Sequence, residues 1–193
     1  MAKPRRLVLA SGSRHRKALL ERLGLPFRTV APDVDEASLP GESPADTALR
    51  LSVLKARAAS SRGELVIGSD QVASSGGKRF GKPGNHDNAA RQLRELSGKT
   101  VDFHTGVCLL DCVKDRAETR VVLCRVTFRT LDERTIQAYL KKERPYDCAG
   151  AAKAEGLGIA LIARMETEDP TSLIGLPLIA LSEMLARAGL PVI

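Results

Sequence analysis

The sequence contains no tryptophan, two tyrosines and four phenylalanines, so aromatics supply 3% of its 193 residues. A surface that stacks successive bases of single-stranded nucleic acid needs aromatic faces in series, and this scarcity argues against one. Cysteine is also sparse. Cys108, Cys112, Cys124 and Cys148 form no C-x-x-C pair, and two of them fall in strand-like runs, which reads as free structural thiols rather than zinc ligands or disulfides. No window approaches 18 uninterrupted apolar residues, and the opening MAKPRR lacks the apolar region of a secretory signal. Neither a membrane span nor export is therefore expected, and the expected location is cytoplasmic. The three histidines, His15, His86 and His104, share no metal-ligand spacing, and no G-x-S-x-G elbow or Cys/His pairing supports a nucleophile. Internal repeats, low-complexity tracts and clean linkers are absent too.

What is present is enough apolar material for a core, 43% of residues, and an excess of positive charge, 30 Lys and Arg against 23 Asp and Glu, for a net +7. That balance favours an anionic partner: nucleic acid, nucleotide or an acidic membrane surface.

Periodicity places a strand at 5–10, a helix at 14–23 stopped by Gly24, a short strand entering the acidic loop PDVDE, and a helix from Pro44 to about Ser61 capped by Ser43. An apolar strand at 64–73 delivers Asp70 near its end, and 76–85 reads as turn chemistry. A helix at 86–97 precedes two alternating segments, 99–112 and 117–129, that read as a hairpin. Thr130 with Glu133 forms a capping box for a helix to about Glu143. A Gly/Ala-rich loop (149–158), a strand at 158–163 and a last helix from near Pro177 complete the chain. The pattern predicts one mixed α/β domain over residues 1–193, with the hairpin and the 130–143 helix as a smaller lobe walling a cleft.

Residues 10–17, ASGSRHRK, run a small-residue elbow into a basic helix start. Unpaired N–H groups and the positive end of the helix dipole make Ser11, Gly12 and Ser13, ahead of Arg14 and Arg16, a phosphate cradle, although a simply capped, solvated helix fits the same residues. Residues 76–82 match G-x-x-x-x-G-K, yet Pro83 follows where a phosphate-binding loop needs Ser or Thr. That excludes a Walker loop and leaves Lys82 as a phosphate-reaching lysine. Asp33, Asp35, Glu36 and Asp70 supply hard oxygen donors suited to Mg²⁺ or Mn²⁺. Carboxylates and cations together point to phosphoric anhydride chemistry. Lys153 and Glu155, in a glycine-rich loop, suit reading a base edge, although a salt-bridged surface loop fits them equally.

The ordered set L-A-S-x-S-x-x-R (9–16), D-x-D-E (33–36), Lys55, G-S-D-Q-V (68–72), G-K-P (81–83), T-G (105–106), A-G (149–150), E-G (155–156) and G-L-P-L (175–178) resembles the Maf family of nucleoside triphosphate pyrophosphatases over almost the whole chain. The resemblance implies a central twisted mixed sheet flanked by helices, of Maf/ITPase-like type, and hydrolysis between the α- and β-phosphates with a divalent metal. It assigns Asp70 as general base, Ser11, Arg16, Lys55 and Lys82 as phosphate binders, and Glu36 with Asp70 as metal ligands. It also suggests a homodimer. K-x-E-G at 153–156 is similar to the branch acting on 7-methyl-GTP, which makes His15, Gln71, Lys153 and Glu155 the residues of substrate choice. A carboxylate there accepts from the N1–H and exocyclic amine of guanine and attracts a cationic methylated ring. Two positions depart from that pattern: Arg14 stands where relatives have proline, and His15 where that branch often has tryptophan. The alternatives are the same chemistry on dTTP, UTP or a broader set, and a non-catalytic nucleic-acid-binding or division-regulating protein. Glu36 and Asp70 argue against nucleic acid as the partner.

Overall fold

The computed structural model describes residues 5–193, so the first four residues of MAKPRR lie outside the described residues. Hydrogen bonding orders the strands β2 (Phe27–Val30), β1 (Arg6–Ala10), β3 (Glu64–Ser75), β5 (Thr100–Asp111), β6 (Arg116–Phe128) and β7 (Ile162–Thr167), with β4 (Lys78–Phe80) on β3. The chain divides into two compact units, the first holding the described residues through Asp70 with Thr105–Val122 and Asp169–Ile193, the second Gln71–His104 and Leu123–Glu168. Strands β3 (Glu64–Ser75), β5 (Thr100–Asp111) and β6 (Arg116–Phe128) contribute residues to each.

In the first unit β1 (Arg6–Ala10) is paired in parallel with β2 (Phe27–Val30) on one side and with β3 on the other. Alternation along β1 decides what covers each face. Leu7 and Leu9 join Leu19 and Leu20 of α1 (Arg14–Glu21) and Leu181, Met184 and Leu185 of α5 (Leu178–Arg187) in one cluster. Val8 and Ala10 join Ala56 of α2 (Pro44–Ala58), Val66 and Cys108 in the other. Each fully buried leucine contributes about 2 kcal/mol of transfer free energy, so the two clusters fix both helix layers on the sheet.

The second unit packs α3 (His86–Leu96) against α4 (Glu133–Glu143) and the 3-10 turn Ala149–Ala151. Its buried side chains include Leu93, Leu96, Phe103, Phe128, Ile136 and Leu140. β7 (Ile162–Thr167) is antiparallel to β6.

Three local expectations change. The stretch expected as turn throughout, 76–85, contains β4 (Lys78–Phe80), antiparallel to β3 because the Gly76-Gly77 turn takes positive φ at both residues and folds the chain back. Asp132 rather than Thr130 caps α4, its carboxylate accepting the Thr135 N–H at 2.7 Å, while Glu133 pairs with Arg94. The strand expected at 158–163 begins at Ile162, since Leu157–Leu161 is a 3-10 turn in which Gly158 packs on the Lys153 carbonyl. The four cysteines are free. Burial pushes the thiols of Cys108 and Cys148 up to about 12 and that of Cys124 up to about 11, which keeps them protonated near neutrality. No described helix is long and apolar enough to cross a membrane.

Candidate active site

β1 lies between β2 and β3, so the chain leaves its C-terminal end at a point where parallel connections diverge. Such a switch point is where open parallel sheets bind ligands. In register, Ala10 pairs with Gly68, which brings Ser11 and Ser69-Asp70 to the same end of the sheet.

Ser11 is buried, and its Oγ accepts the N–H of Ser13 at 3.1 Å and lies 3.5 Å from Arg16 Nη1. Ser13 caps α1 by accepting the Arg16 N–H at 3.4 Å. Arg16 is further held from its other edge, its Nε donating to the Gly175 carbonyl at 2.8 Å. Ser69 Oγ, 2.9 Å from the same carbonyl and 2.8 Å from that of Gly106, ties the 175 turn to the strand ends. Burial lowers the Arg16 pKa, opposed by the charges of Asp70 and Glu36, and the guanidinium keeps its proton. Gly12 has room for a Cβ, the nearest contact being Ala31 at 3.5 Å, so the protein itself does not require glycine there.

Lys55 is the central cation. α2 buries Thr47, Ala48, Leu51, Ser52, Lys55 and Ala56 on one stripe, so this lysine faces the sheet and is 6% exposed. Its Nζ donates to Asp70 Oδ1 at 2.6 Å and sits 2.7 Å from Glu36 Oε1. Only small residues beneath the helix permit this approach: a Cβ on Gly68 would stand 2.0 Å from the Ser52 carbonyl oxygen, and one on Gly106 would stand 2.3 Å from that of Ala48. The donor set converging on Lys55 is two carboxylates, all oxygen. Hard oxygens in this number, completed by substrate phosphates and water, suit Mg²⁺ or Mn²⁺, and the residues present fit such an ion.

Of the residues singled out by the sequence, Ser11, Arg16, Glu36, Lys55 and Asp70 gather in the first unit, with His15 half-buried on α1 beside Arg14. Gln71, Lys82, Lys153 and Glu155 belong to the second unit. There Lys82 is exposed on a loop braced at both flanks: Gly81 O accepts from Gln92 Nε2 at 3.1 Å and Gly150 N at 3.4 Å, and Pro83 O accepts from Asn88 Nδ2 at 2.9 Å. Glu155 is exposed in the 149–158 loop, and the Lys153 ammonium is paired with Glu143. Ser69 stands in the sequence motifs without a role because its hydroxyl serves backbone carbonyls remote in the chain, and Gly106 and Gly175 because a carbonyl or a missing Cβ leaves no chemical signature in a sequence. Glu143 left one: a carboxylate at the last position of a helix opposes the dipole and needs a partner elsewhere.

The Maf-like protein family matches residues 6–188. A protein named 7-methyl-GTP pyrophosphatase from Thiobacillus denitrificans is 57% identical over 189 residues, covering 97% of this chain and 94% of that protein. One of the same name from Bordetella pertussis is 56% identical over 97% of this chain and 94% of its own length. A third, from Burkholderia orbicola, is 53% identical over 99% and 93%. Among solved structures, a HAM1 protein from Coxiella burnetii aligns with a TM-score of 0.44 and 17% identity over 82% of this chain and 98% of that one, a likeness too slight to carry an argument. With the family matching nearly end to end and relatives sharing more than half of its residues, this chain belongs to the Maf family.

Proposed function

We propose that this protein hydrolyses 7-methyl-GTP to 7-methyl-GMP and pyrophosphate, removing a modified nucleotide from the pool. The observation that carries the substrate is the name shared by relatives at 53–57% identity over nearly the whole chain. The grouping of Asp70, Lys55, Arg16 and Ser11 supports the chemistry. Asp70 takes a proton from water as the water oxygen bonds to the α-phosphorus and the bond from that phosphorus to the bridging oxygen breaks, releasing pyrophosphate. Lys55, oriented by Asp70, and Arg16, locked between Ser11 and Gly175, offer positive charge to the phosphate oxygens. Lys82 adds a further cation, and Glu155 accepts from the guanine edge and attracts the cationic ring. A divalent ion held by Glu36 and Asp70 would neutralise phosphate charge and polarise the scissile group. His15, Gln71 and Lys153 are the other residues that the resemblance assigns to substrate choice. The resemblance further supports a cytoplasmic homodimer, for which sedimentation analysis is the test.

The reaction is tested by pyrophosphate release from 7-methyl-GTP, GTP, dTTP, UTP and CTP, each with Mg²⁺, with Mn²⁺ and with EDTA. The expected result is a metal-dependent preference for 7-methyl-GTP, shifted toward pyrimidine triphosphates by Glu155→Gln. Turnover led by dTTP or UTP would overturn the substrate. Silence across the panel would overturn the enzyme, and full activity in EDTA would remove the metal.

A further inference from the structure

Resting on that reading of Glu155, we infer that Tyr139 and Glu143 of α4 are positioning residues for substrate choice, and that Lys153 braces the base-reading loop instead of reading the base. The loop around Glu155 carries little apolar anchoring of its own. Leu157 and Ile159 are 47% and 55% exposed. What fixes the loop is polar and comes from one helix. The buried Tyr139 hydroxyl accepts the Lys153 N–H at 3.1 Å and donates to the Ala151 carbonyl at 3.0 Å, satisfying two backbone groups with one oxygen. One turn on, the two oxygens of Glu143 divide their work: Oε1 takes the Lys153 ammonium, and Oε2 accepts the Leu157 N–H at 2.7 Å.

Glu155 is thereby pinned two residues to either side, at Lys153 and at Leu157. Backbone bonds close the same turn, the Gly156 and Gly158 N–H groups both donating to the Lys153 carbonyl at 3.1 and 3.0 Å. The glycine of K-x-E-G follows from the clamp: a Cβ on Gly156 would stand 2.6 Å from Glu143 Oε2, so a larger residue would evict the carboxylate. The Lys153 bond holds the Glu143 carboxyl below its ordinary pKa, and Glu143 raises that of Lys153, so the pair stays charged near neutrality. One N–H of the Lys153 ammonium is thereby given to Glu143, which places this lysine in the frame of the loop.

The test uses Tyr139→Phe and Glu143→Gln, singly and each combined with Glu155→Gln. Tyr139→Phe keeps the buried ring, so it carries the test should Glu143→Gln fail to fold. Each single variant is expected to raise KM for 7-methyl-GTP about tenfold with kcat little changed, the loss expected of a hydrogen bond to a positioned group, and to leave the KM for UTP unaltered. Combined with Glu155→Gln, neither should add further loss, because both act through that residue. Amide exchange at Lys153 and Leu157, read without substrate, should accelerate in Tyr139→Phe and Glu143→Gln respectively. A wild type without preference for 7-methyl-GTP would overturn the substrate reading and this inference together. A selective wild type whose variants keep their preference, or whose losses add to that of Glu155→Gln, would overturn this inference alone.

Discussion

Lys55 is shared by two acids that hold it unequally. The Asp70 side chain is 10% exposed and that of Glu36 is 62% exposed, so solvent screens the second contact far more than the first. Removing one partner of a nearly buried pair leaves the other desolvated without compensation, whereas replacing a carboxylate by its amide keeps shape and an acceptor oxygen. Asp70→Asn is therefore expected to lose about 10²- to 10⁴-fold in hydrolysis, the range of a positioned general base, while keeping its thermal midpoint. Lys55→Met should lose activity and also about 3 kcal/mol of stability, since it strands Asp70. Rate assays beside thermal melts separate the two. An Asp70→Asn enzyme of near-normal rate would take the base role from Asp70, and a Lys55→Met protein of unchanged midpoint would show the pair to be solvated.

At the scale of the element, the geometry depends on how closely α2 approaches β3 and β5. Gly106→Ala places a methyl carbon 2.3 Å from the Ala48 carbonyl oxygen, a clash with backbone that no rotamer relieves. The helix must lift, and an overpacked core costs about 1–3 kcal/mol. Lifting it also carries Lys55 away from Asp70. The expected outcome is a lowered midpoint together with lost turnover, and a variant with both intact would show that α2 is free to slide. How much of this was legible follows from what each residue announces. Asp70 was legible because a carboxylate after an apolar strand is conspicuous; α1 was legible from its leucine spacing and α2 from its Ser43 cap, whereas the capping box expected at Thr130 misplaced the start of α4. Lys55 was not legible from its own position, since a helix lysine ordinarily faces water. The small residues Ala48, Ser52 and Ala56 on its stripe carried the clue. The start of β7 was missed because its residues are mostly exposed and carry no period-2 apolar signal. The bracing of Glu155 was hidden because Tyr139 and Lys153 are 14 residues apart and meet through a backbone N–H.

For the whole molecule, the net +7 makes acid the dangerous direction, since each carboxylate that protonates adds to self-repulsion. Asp111 is a buried carboxylate with a charge to lose. It is 8% exposed, accepts the N–H groups of Val113 and Lys114 at 3.0 and 3.1 Å, and is paired with Arg5, which donates from Nη1 at 2.8 Å. Its hydrogen bond with Arg5 is the chief cause that holds its pKa at about 2, below the ordinary carboxylate range. A folded-state pKa below the unfolded value means stability that is present in full above about pH 4–5 and is lost as pH falls toward 2. Arg5 is partly open to solvent, so screening limits the contribution to about 1 kcal/mol. Asp111→Asn keeps an oxygen for the turn N–H groups but gives up the charge. Its stability at pH 7 is expected to fall by about that amount, and its decline between pH 5 and pH 2 to be shallower than that of the wild type. With no tryptophan to follow, urea unfolding is read by far-ultraviolet circular dichroism at pH 7, 4 and 3. Parallel curves for the two proteins would mean that Asp111 titrates alike in the folded and unfolded chain, and that the acid limit is set by the summed positive charge instead.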